Sequence, residues 1–448
     1  MSSIARAVGE FAVRTRLDDV PAEVVAFSRL LLLDTLGALL GGLRYPAVQA
    51  LGQRVDDDAA AVPFGRLLTL GTAATWLDSD SGGSFHPQGH RLPPVPTAHP
   101  APHSLPVLLH EAATSEVDER RLLEVFIVAN EIGMRSGVAS SLRPGMHPHG
   151  VHGPGAAAVA AALLRGQDAE EVGAAFLLGS SMPLAATLAV PMRGGTVRNV
   201  WTGLGAYYGA CAAQWVAAGA RGSEGVYAAL FDSAVCADLS TDELVGDLGT
   251  RWQVANSYLK PYACARWIHP ALDAAQLALG DSPVRTEDVE TVEVDTFAFA
   301  ASLDTVDIGS DMQARFSLPY CLATLLTDGE LHAGSFLPEW LSREPVLDLA
   351  RRIEVREDPA CSAALPAERP TRVTLRTTDG RVLTAGVRNA RGNPSSPLTR
   401  EEVEHKFRRN AGAVVHEPLL DDVIESVLNG GHPRSVSALA RALIAFTP

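Results

Sequence analysis

Apolar residues recur at helical spacing through the first 250 residues of the chain, and this constrains the fold most strongly. In the segment 22–42, Val25, Leu33, Leu36 and Leu40 fall on one face of a helix. Pro154 opens an Ala-rich helix, since proline is tolerated in a first helical turn. The same spacing predicts helices at 104–116, 118–134, 168–190, 200–219 and 223–231. This half shows no alternation of strands and helices, which argues against Rossmann and TIM-barrel folds.

The pattern changes beyond residue 258. Three segments, 284–298, 352–356 and 371–387, alternate apolar and polar residues as strands do, and the last contains the hairpin signal Asp379-Gly380. Helices are predicted near 269–279, 314–328 and 345–351. Thr399 and Glu402 form a capping box that starts the C-terminal helices.

We therefore predict a mainly α protein with a smaller α+β domain. The large all-helical domain is predicted to be discontinuous, comprising residues 1–257 and 396–448. The α+β domain is predicted to cover residues 258–395.

Composition excludes several classes of function. The chain has 448 residues, a net charge of −15 and 20% charged residues. Because binding to phosphate requires clustered Lys and Arg, we expect no nucleic-acid partner, and an acidic chain is also repelled by a membrane surface. The apolar run from Phe27 to Leu43 carries Arg29 and Asp34, so we do not expect it to span a membrane. Five widely spaced cysteines and the lack of an evident signal peptide lead us to expect a cytoplasmic protein.

Lysine is almost absent from the chain. Of the 37 cationic residues, 35 are Arg, and only Lys260 and Lys406 are Lys. Since lysine alone of these two can lose its proton near neutral pH, a surviving lysine is a candidate for acid–base chemistry. Lys260 lies among aromatic residues and is the stronger candidate. Lys406 lies in a highly charged helix, where we expect a solvated surface position.

Eight of the 13 histidines lie between residues 86 and 152, most of them in loops rich in Pro and Gly. Three interpretations are open: solvated or locally bonded histidines, a metal site, and a metal-free acid–base site. The metal-free site is favoured, because the chain lacks the β-rich body in which such histidine pairs bind metals. Asp78 and Asp80 precede the first loop and either end a helix or orient an imidazole. Arg198 and Arg266 are candidates for binding a substrate carboxylate or for structural ion pairs.

Several motifs, taken in order, resemble the MmgE/PrpD family. They are RLLLLDTLGALLGG, LDSDSGG, AHPAPHSLPVLLHEAA, MHPHGVHGPGAAAVAAALL, VRNVWTGLGAYYGA, YLKPYACARWIHPALDA, ARFSLPYCLATLLTDG and GNPSSPLTREEVEHKF. The family includes 2-methylcitrate dehydratase, cis-aconitate decarboxylase and iminodisuccinate epimerase. The resemblance implies a large helical domain, an α+β lid domain, a cleft between them and a homodimer. It implies no metal and no organic cofactor.

The resemblance also assigns roles to individual residues. It implies a catalytic set, comprising Lys260, His147, His99, Tyr320 and Asp78. From the residues themselves we predict a substrate-binding set, comprising Arg198, Arg266, His149 and His103. Two positions depart from the decarboxylase pattern, with Ala265 in place of a second catalytic His and Arg198 in place of a Lys.

The resemblance also implies the type of reaction, since the reactions of this family share the removal of a proton beside a carboxylate. We expect a cofactor-independent, dehydratase-like lyase acting on a small carboxylate. The alternatives are an epimerase on the same scaffold and a non-catalytic binding protein.

Overall fold

The computed structural model describes residues 3–57, 65–83, 98–184, 186–280, 284–431 and 436–446. These residues form two compact units. The larger comprises Met1–Leu188, Val197–Leu259 and Thr399–Pro448, and the smaller comprises Ala189–Thr196 and Lys260–Leu398. The protein is mainly α-helical with a smaller α+β part, as the sequence predicts. His86 and His90 of the first histidine loop lie outside the described residues.

Helices dominate the larger unit. Helices are numbered in chain order through both units, and those of the larger unit are α1 (Ser3–Arg14), α2 (Ala22–Gly42), α3 (Pro46–Asp57), α4 (Gly65–Trp76), α5 (Ala101–Thr114), α6 (Glu119–Val138), α7 (Gly153–Leu164), α8 (Ala169–Ser180), α10 (Val197–Ala217), α11 (Glu224–Leu230), α12 (Thr241–Val245), α19 (Arg400–Ala411), α20 (Glu417–Ile424) and α21 (Val436–Ile444). Two short antiparallel pairs accompany them: β1 (Gly82–Gly83) with β4 (Ser257–Tyr258), and β2 (Ser140–Leu142) with β3 (Cys236–Leu239).

Small residues allow the central helices of this unit to pack closely. Helix α10 packs against both α4 and α7, and α2 packs against α4 and α19. At the α4–α10 crossing, a Cβ on Gly71 would lie 2.7 Å from the Cα of Gly203, so both backbones are in contact. Helix α2 is long and apolar enough to cross a membrane, but 72% of its most apolar window is buried. Its Asp34 is ion-paired with Lys406, and α2 is therefore a core helix of this unit.

The smaller unit is built on a four-stranded sheet in the order β6-β5-β7-β8. The strands are β5 (Val289–Thr296), β6 (Ile353–Glu357), β7 (Thr371–Thr377) and β8 (Val382–Val387). Strands β5 and β6 are parallel and the other pairs antiparallel. The helices are α9 (Ala189–Met192), α13 (His269–Leu279), α14 (Ala298–Ala301), α15 (Asp311–Arg315), α16 (Leu318–Asp328), α17 (Glu344–Ala350) and α18 (Pro359–Ala363). Helix α13 covers β7 and β8, which join at the predicted turn, where Gly380 has a φ of 88°.

One predicted helix is shorter than expected. The pattern at 168–190 predicts a single helix, but α8 ends at Ser180. Pro183 lies just beyond this end, and a proline cannot donate the backbone hydrogen bond that would continue the helix. The capping box of Thr399 and Glu402 is formed as predicted.

Candidate active site

Four segments of the larger unit bring histidines and carboxylates to one place. They are the loop 78–81 after α4, His99 just before α5, the segment 147–152 before α7, and the first turns of α10. His149 lies at the centre, with ring centroids 4.3 Å from His99, 5.0 Å from His147 and 5.8 Å from His103. The two histidine loops, distant in the sequence, therefore converge in the fold.

Asp80 and His99 form a pair with a defined proton position. The Nδ1 of His99 lies 3.0 Å from Asp80 Oδ2 and 2.8 Å from the carbonyl oxygen of Ser81. A carboxylate and a carbonyl can only accept, so Nδ1 carries the ring proton. The basic nitrogen of the neutral imidazole is then Nε2. Asp80 is fully buried, whereas the His99 side chain is 12% exposed.

Arg198 neutralises the two carboxylates of this loop. Its Nη2 lies 2.5 Å from Asp78 Oδ1 and 3.3 Å from Asp80 Oδ1, and its Nη1 donates to the carbonyl of Thr75 at 2.8 Å. Burial by itself would lower the pKa of this guanidinium, but Asp78 and Asp80 outweigh burial and raise that pKa. Arg198 therefore remains a cation and is already paired with carboxylates of the protein itself.

The Asp78 backbone is left-handed, with a φ of 48°. Such a conformation is uncommon for a residue other than glycine, although Asp tolerates it better than most. Asp78 is the second residue after the end of α4. Both Asp78 and Asp80 are buried and pair with Arg198. The strained turn is thus part of how two carboxylates reach one arginine.

His149 is buried between charged groups. Its Nε2 lies 3.3 Å from Asp80 Oδ2 and 3.2 Å from Arg198 Nη2. Burial is the main cause that lowers the pKa of His149 well below its usual value, with His99 and Arg198 adding to it against the opposing effect of Asp80. His149 is therefore a neutral ring near pH 7.

Both ring nitrogens of His103 are hydrogen-bonded to backbone groups. Its Nδ1 donates to the His99 carbonyl at 2.8 Å, and its Nε2 accepts from the Gly150 amide at 3.4 Å. Burial lowers its pKa to about 4. His103 therefore ties the His99 segment to the His149 segment. A Cβ on Gly153 would lie 2.0 Å from His103 Cδ2, so this contact requires a glycine.

His147 has the opposite tautomer to His99. Its Nδ1 accepts from the His149 amide at 3.1 Å, so in the neutral ring the proton is on Nε2. The ring centroid lies 5.7 Å from that of Trp201, and the residue is 6% exposed. The site thus contains one imidazole that can accept a proton at Nε2 and one that can donate a hydrogen bond from Nε2.

Asp80, His99 and His149 also place three possible metal-ligand atoms within 4.8 Å of one another. Their contacts fit hydrogen bonding better than metal binding. The Nδ1 of His99 is directed at the Ser81 carbonyl, 2.8 Å away, which requires a proton there. The Arg198 guanidinium lies 3.2 Å from His149 Nε2, and its positive charge opposes a divalent cation at that position.

The remaining predicted residues belong to the smaller unit. Lys260 is buried, with 3% of its surface exposed. The Tyr320 hydroxyl donates to the carbonyls of Ser335 at 3.1 Å and Trp340 at 3.3 Å, and burial raises its pKa to about 12. The Arg266 side chain is hydrogen-bonded to Asn393.

The structure identifies two residues that the predicted site set did not include. Asp80, for which the sequence left open a helix end or a carboxylate that orients an imidazole, contacts both His99 and His149. Lys406 was expected at a solvated helix surface, and that expectation is wrong, because its Nζ is buried 2.6 Å from Asp34 Oδ1. The only sequence signal for Lys406 was the scarcity of lysine.

The fold and this histidine–carboxylate site define the chain as a two-part, mainly helical protein with a candidate acid–base centre. The family model of the MmgE/PrpD N-terminal domain matches residues 6–231, and that of the MmgE/PrpD C-terminal domain matches residues 262–429. The chain belongs to the MmgE/PrpD family.

Similar proteins cover nearly the whole chain. A cis-aconitate decarboxylase of Aspergillus terreus is 25% identical over 99% of this chain and 96% of the relative. A second, from Aspergillus terreus strain NIH 2624, is 25% identical over 96% of this chain and 93% of its own length. The cis-aconitate decarboxylase-like protein oryM of Aspergillus oryzae is 23% identical over 94% of this chain and 93% of its own length. The family therefore includes lyases.

Proposed function

We propose that this protein is a cofactor-independent lyase that removes the proton beside a carboxylate of a small organic acid. The observation that carries the proposal is the Asp80–His99 pair, in which the carboxylate fixes the Nδ1 proton and leaves Nε2 as the base. A buried carboxylate behind an imidazole holds the productive tautomer and stabilises the imidazolium that forms when the ring takes a proton.

His147 supplies the complementary group. After His99 accepts the α-proton at Nε2, the Nε2–H of His147 would donate a hydrogen bond to the leaving hydroxyl or to the substrate carboxylate. A neutral imidazole keeps its remaining proton near neutral pH, so the acid of the reaction is the His99 imidazolium. The order of bond changes is loss of the C–H proton to His99, followed by cleavage of the C–O bond as the His99 imidazolium gives that proton to the leaving hydroxide, so that the products are an alkene and water.

Cationic side chains are the groups that bind substrate carboxylates. Arg198 is paired with Asp78 and Asp80, so we assign it to the stability of the site and to the position of its carboxylates. We propose Lys260 and Arg266, the candidates from the sequence, for binding or proton transfer at the substrate. Tyr320, whose hydroxyl keeps its proton, would contribute only as a hydrogen-bond donor.

An epimerase is the second candidate. In that reaction His99 would remove a proton from one face of a carbon, and a protonated group on the opposite face would return one. The names of the similar proteins make decarboxylation of cis-aconitate a third reaction to assay. A homologue that binds a carboxylate without turnover would exchange no proton.

The test is incubation with a panel of small hydroxy-, di- and tricarboxylic acids in heavy water. Alkene absorbance reports elimination, deuterium incorporation with inversion reports epimerisation, and released carbon dioxide reports decarboxylation. We expect alkene formation, with a rate that is unchanged by a chelator.

His99→Asn is expected to lower this rate by about 10²- to 10⁴-fold, the usual contribution of a general base. His405→Asn, which alters an exposed histidine on α19, is the matched control and should leave the rate unchanged. A His99→Asn variant with the rate of the control would overturn the assignment.

We also propose that the protein is a cytoplasmic homodimer. A low charged fraction of 20% is consistent with a large buried interface. Light scattering on the purified chain should give twice the chain mass of 47.3 kDa, and a monomer at micromolar concentration would contradict this.

A further inference from the structure

Lys406 lies beneath the loop that carries Asp80. Its Nζ donates to Asp34 Oδ1 at 2.6 Å and to the carbonyl oxygen of Ser79 at 3.0 Å. Asp34 belongs to α2 and Lys406 to α19, and both side chains are buried. The lysine therefore connects two helices to the residue between Asp78 and Asp80.

The bond to Ser79 acts directly on Asp80. The Ser79 carbonyl and the Asp80 amide belong to one planar peptide group, so holding the carbonyl fixes the orientation of that plane. Asp78, on the other side of Ser79, has a left-handed backbone with a φ of 48°. A strained turn persists only when its surroundings hold it, and Lys406 is one of the groups that do so.

The packing of α2 on α19 keeps this lysine in place. A Cβ on Gly37 would lie 3.1 Å from Phe407 Cδ2, and one on Gly41 would lie 2.9 Å from the Asn410 carbonyl. The two helices are thus in close contact immediately C-terminal to the ion pair in both of them. A buried charge cannot leave its partner without a large desolvation cost, so the Nζ position is strongly determined.

We propose that Lys406 is a positioning residue of the candidate active site, acting through the Ser79 peptide on Asp80 and hence on His99. Its kinetic consequence rests on the proposed function. The ammonium does not take part in proton transfer to substrate. It sets the distance between Asp80 Oδ2 and His99 Nδ1.

The kinetic test uses Lys406→Met together with Asp34→Asn, so that no unpaired buried charge remains. We expect kcat to fall by about 10- to 100-fold, the usual effect of removing a group that orients a catalytic residue, with KM nearly unchanged. The single variant Lys406→Arg keeps a cation beside Asp34, so its kcat should be close to that of the unaltered protein. In a His99→Asn background the double substitution should have almost no further effect, because residues acting through one another are not additive.

Arg165→Met is the matched control. Arg165 also joins a carboxylate and a carbonyl, at 2.6 Å from Glu111 Oε1 and 3.0 Å from the Ala210 oxygen. It should lower thermal stability without changing kcat of the folded enzyme. The proposal would be overturned if the Lys406→Met, Asp34→Asn variant and the Arg165→Met variant had equal kcat. It would also be overturned if the double substitution lowered kcat as much in the His99→Asn background as in the unaltered protein.

A second measurement does not depend on turnover. In protein labelled with ¹⁵N-histidine, the Nδ1–H signal of His99 is the one that His99→Asn removes. The Lys406→Met, Asp34→Asn variant should shift this signal and speed its exchange with water, while Arg165→Met should not. An unshifted signal overturns the positioning role. A shifted signal in an enzyme that transforms none of the acids would reject the proposed function and retain the positioning role.

Discussion

At the scale of the residue, the same side chain takes different chemical forms according to what surrounds it. The Nδ1 of His99 faces two acceptors and must carry the proton, whereas the Nδ1 of His147 faces an amide donor and cannot. His103 has both nitrogens bonded to backbone groups and acts as a structural clamp. Residue type alone therefore does not assign a role to any of them.

The first prediction concerns Lys260. Lys260→Arg keeps the charge but removes a group that can act as a base near neutral pH. We expect the variant to fold and to lose more than 90% of its activity. Steady-state rates and thermal unfolding of the same preparation check this. A variant that keeps more than about a tenth of the rate, a barrier change below about 1.4 kcal/mol, would leave Lys260 only a charge role.

At the scale of the element, the site is assembled from helix ends. His99 and His103 lie at the start of α5, His149 precedes α7, and Arg198 lies in the first turn of α10. Each helix fixes the direction in which its first residues emerge, so small displacements at one end are transmitted to the histidines. Glycines at these ends are needed where a ring lies against the backbone.

Gly153→Ala tests this dependence. The added methyl group would overlap the His103 ring, and overpacking of this kind costs about 1–3 kcal/mol of the free energy of unfolding. It should also lower activity, because His103 bonds the Gly150 amide next to His149. Gly225→Ala is the control, since its nearest contact is 3.8 Å away, and it should be neutral or slightly stabilising. Equal unfolding midpoints for the two variants would contradict the prediction.

At the scale of the whole molecule, the buried histidines make stability depend on pH. Burial lowers the pKa of His103 to about 4, that of His152 to about 3, and that of His149 well below its usual value. In the unfolded chain a histidine has a pKa of about 6.5. Below that pH the unfolded state binds protons that the native state does not, so the free energy of unfolding decreases as the pH falls.

We expect this decrease between pH 7 and pH 5, with a slope of up to about 1.4 kcal/mol per pH unit for each of the three histidines. Denaturant unfolding at several pH values measures it. His103→Asn should reduce the slope by one histidine's share, and His405→Asn, at an exposed position, should not. An unchanged slope in His103→Asn would show that this ring is not held neutral.

Local sequence was sufficient to predict most elements of this protein. The helix at 22–42, the hairpin at Asp379-Gly380 and the capping box at Thr399 follow from spacing and turn chemistry within a few residues. The division into a helical part and an α+β part follows from the same patterns. The histidine loops and the neighbouring carboxylates were also recognised from the sequence.

Tertiary structure decided the chemistry of the site. Three features depend on groups far apart in the chain: the contacts of Asp80 with two histidines, the proton on Nδ1 of His99, and the burial of Lys406 beneath the Ser79 peptide. The tautomer of His147 is set locally, by the amide of His149 two residues away. Helices form from neighbours that the sequence shows directly. Tautomers, ion pairs and buried charges are set by through-space distances of about 3 Å, and only the folded chain brings those atoms together.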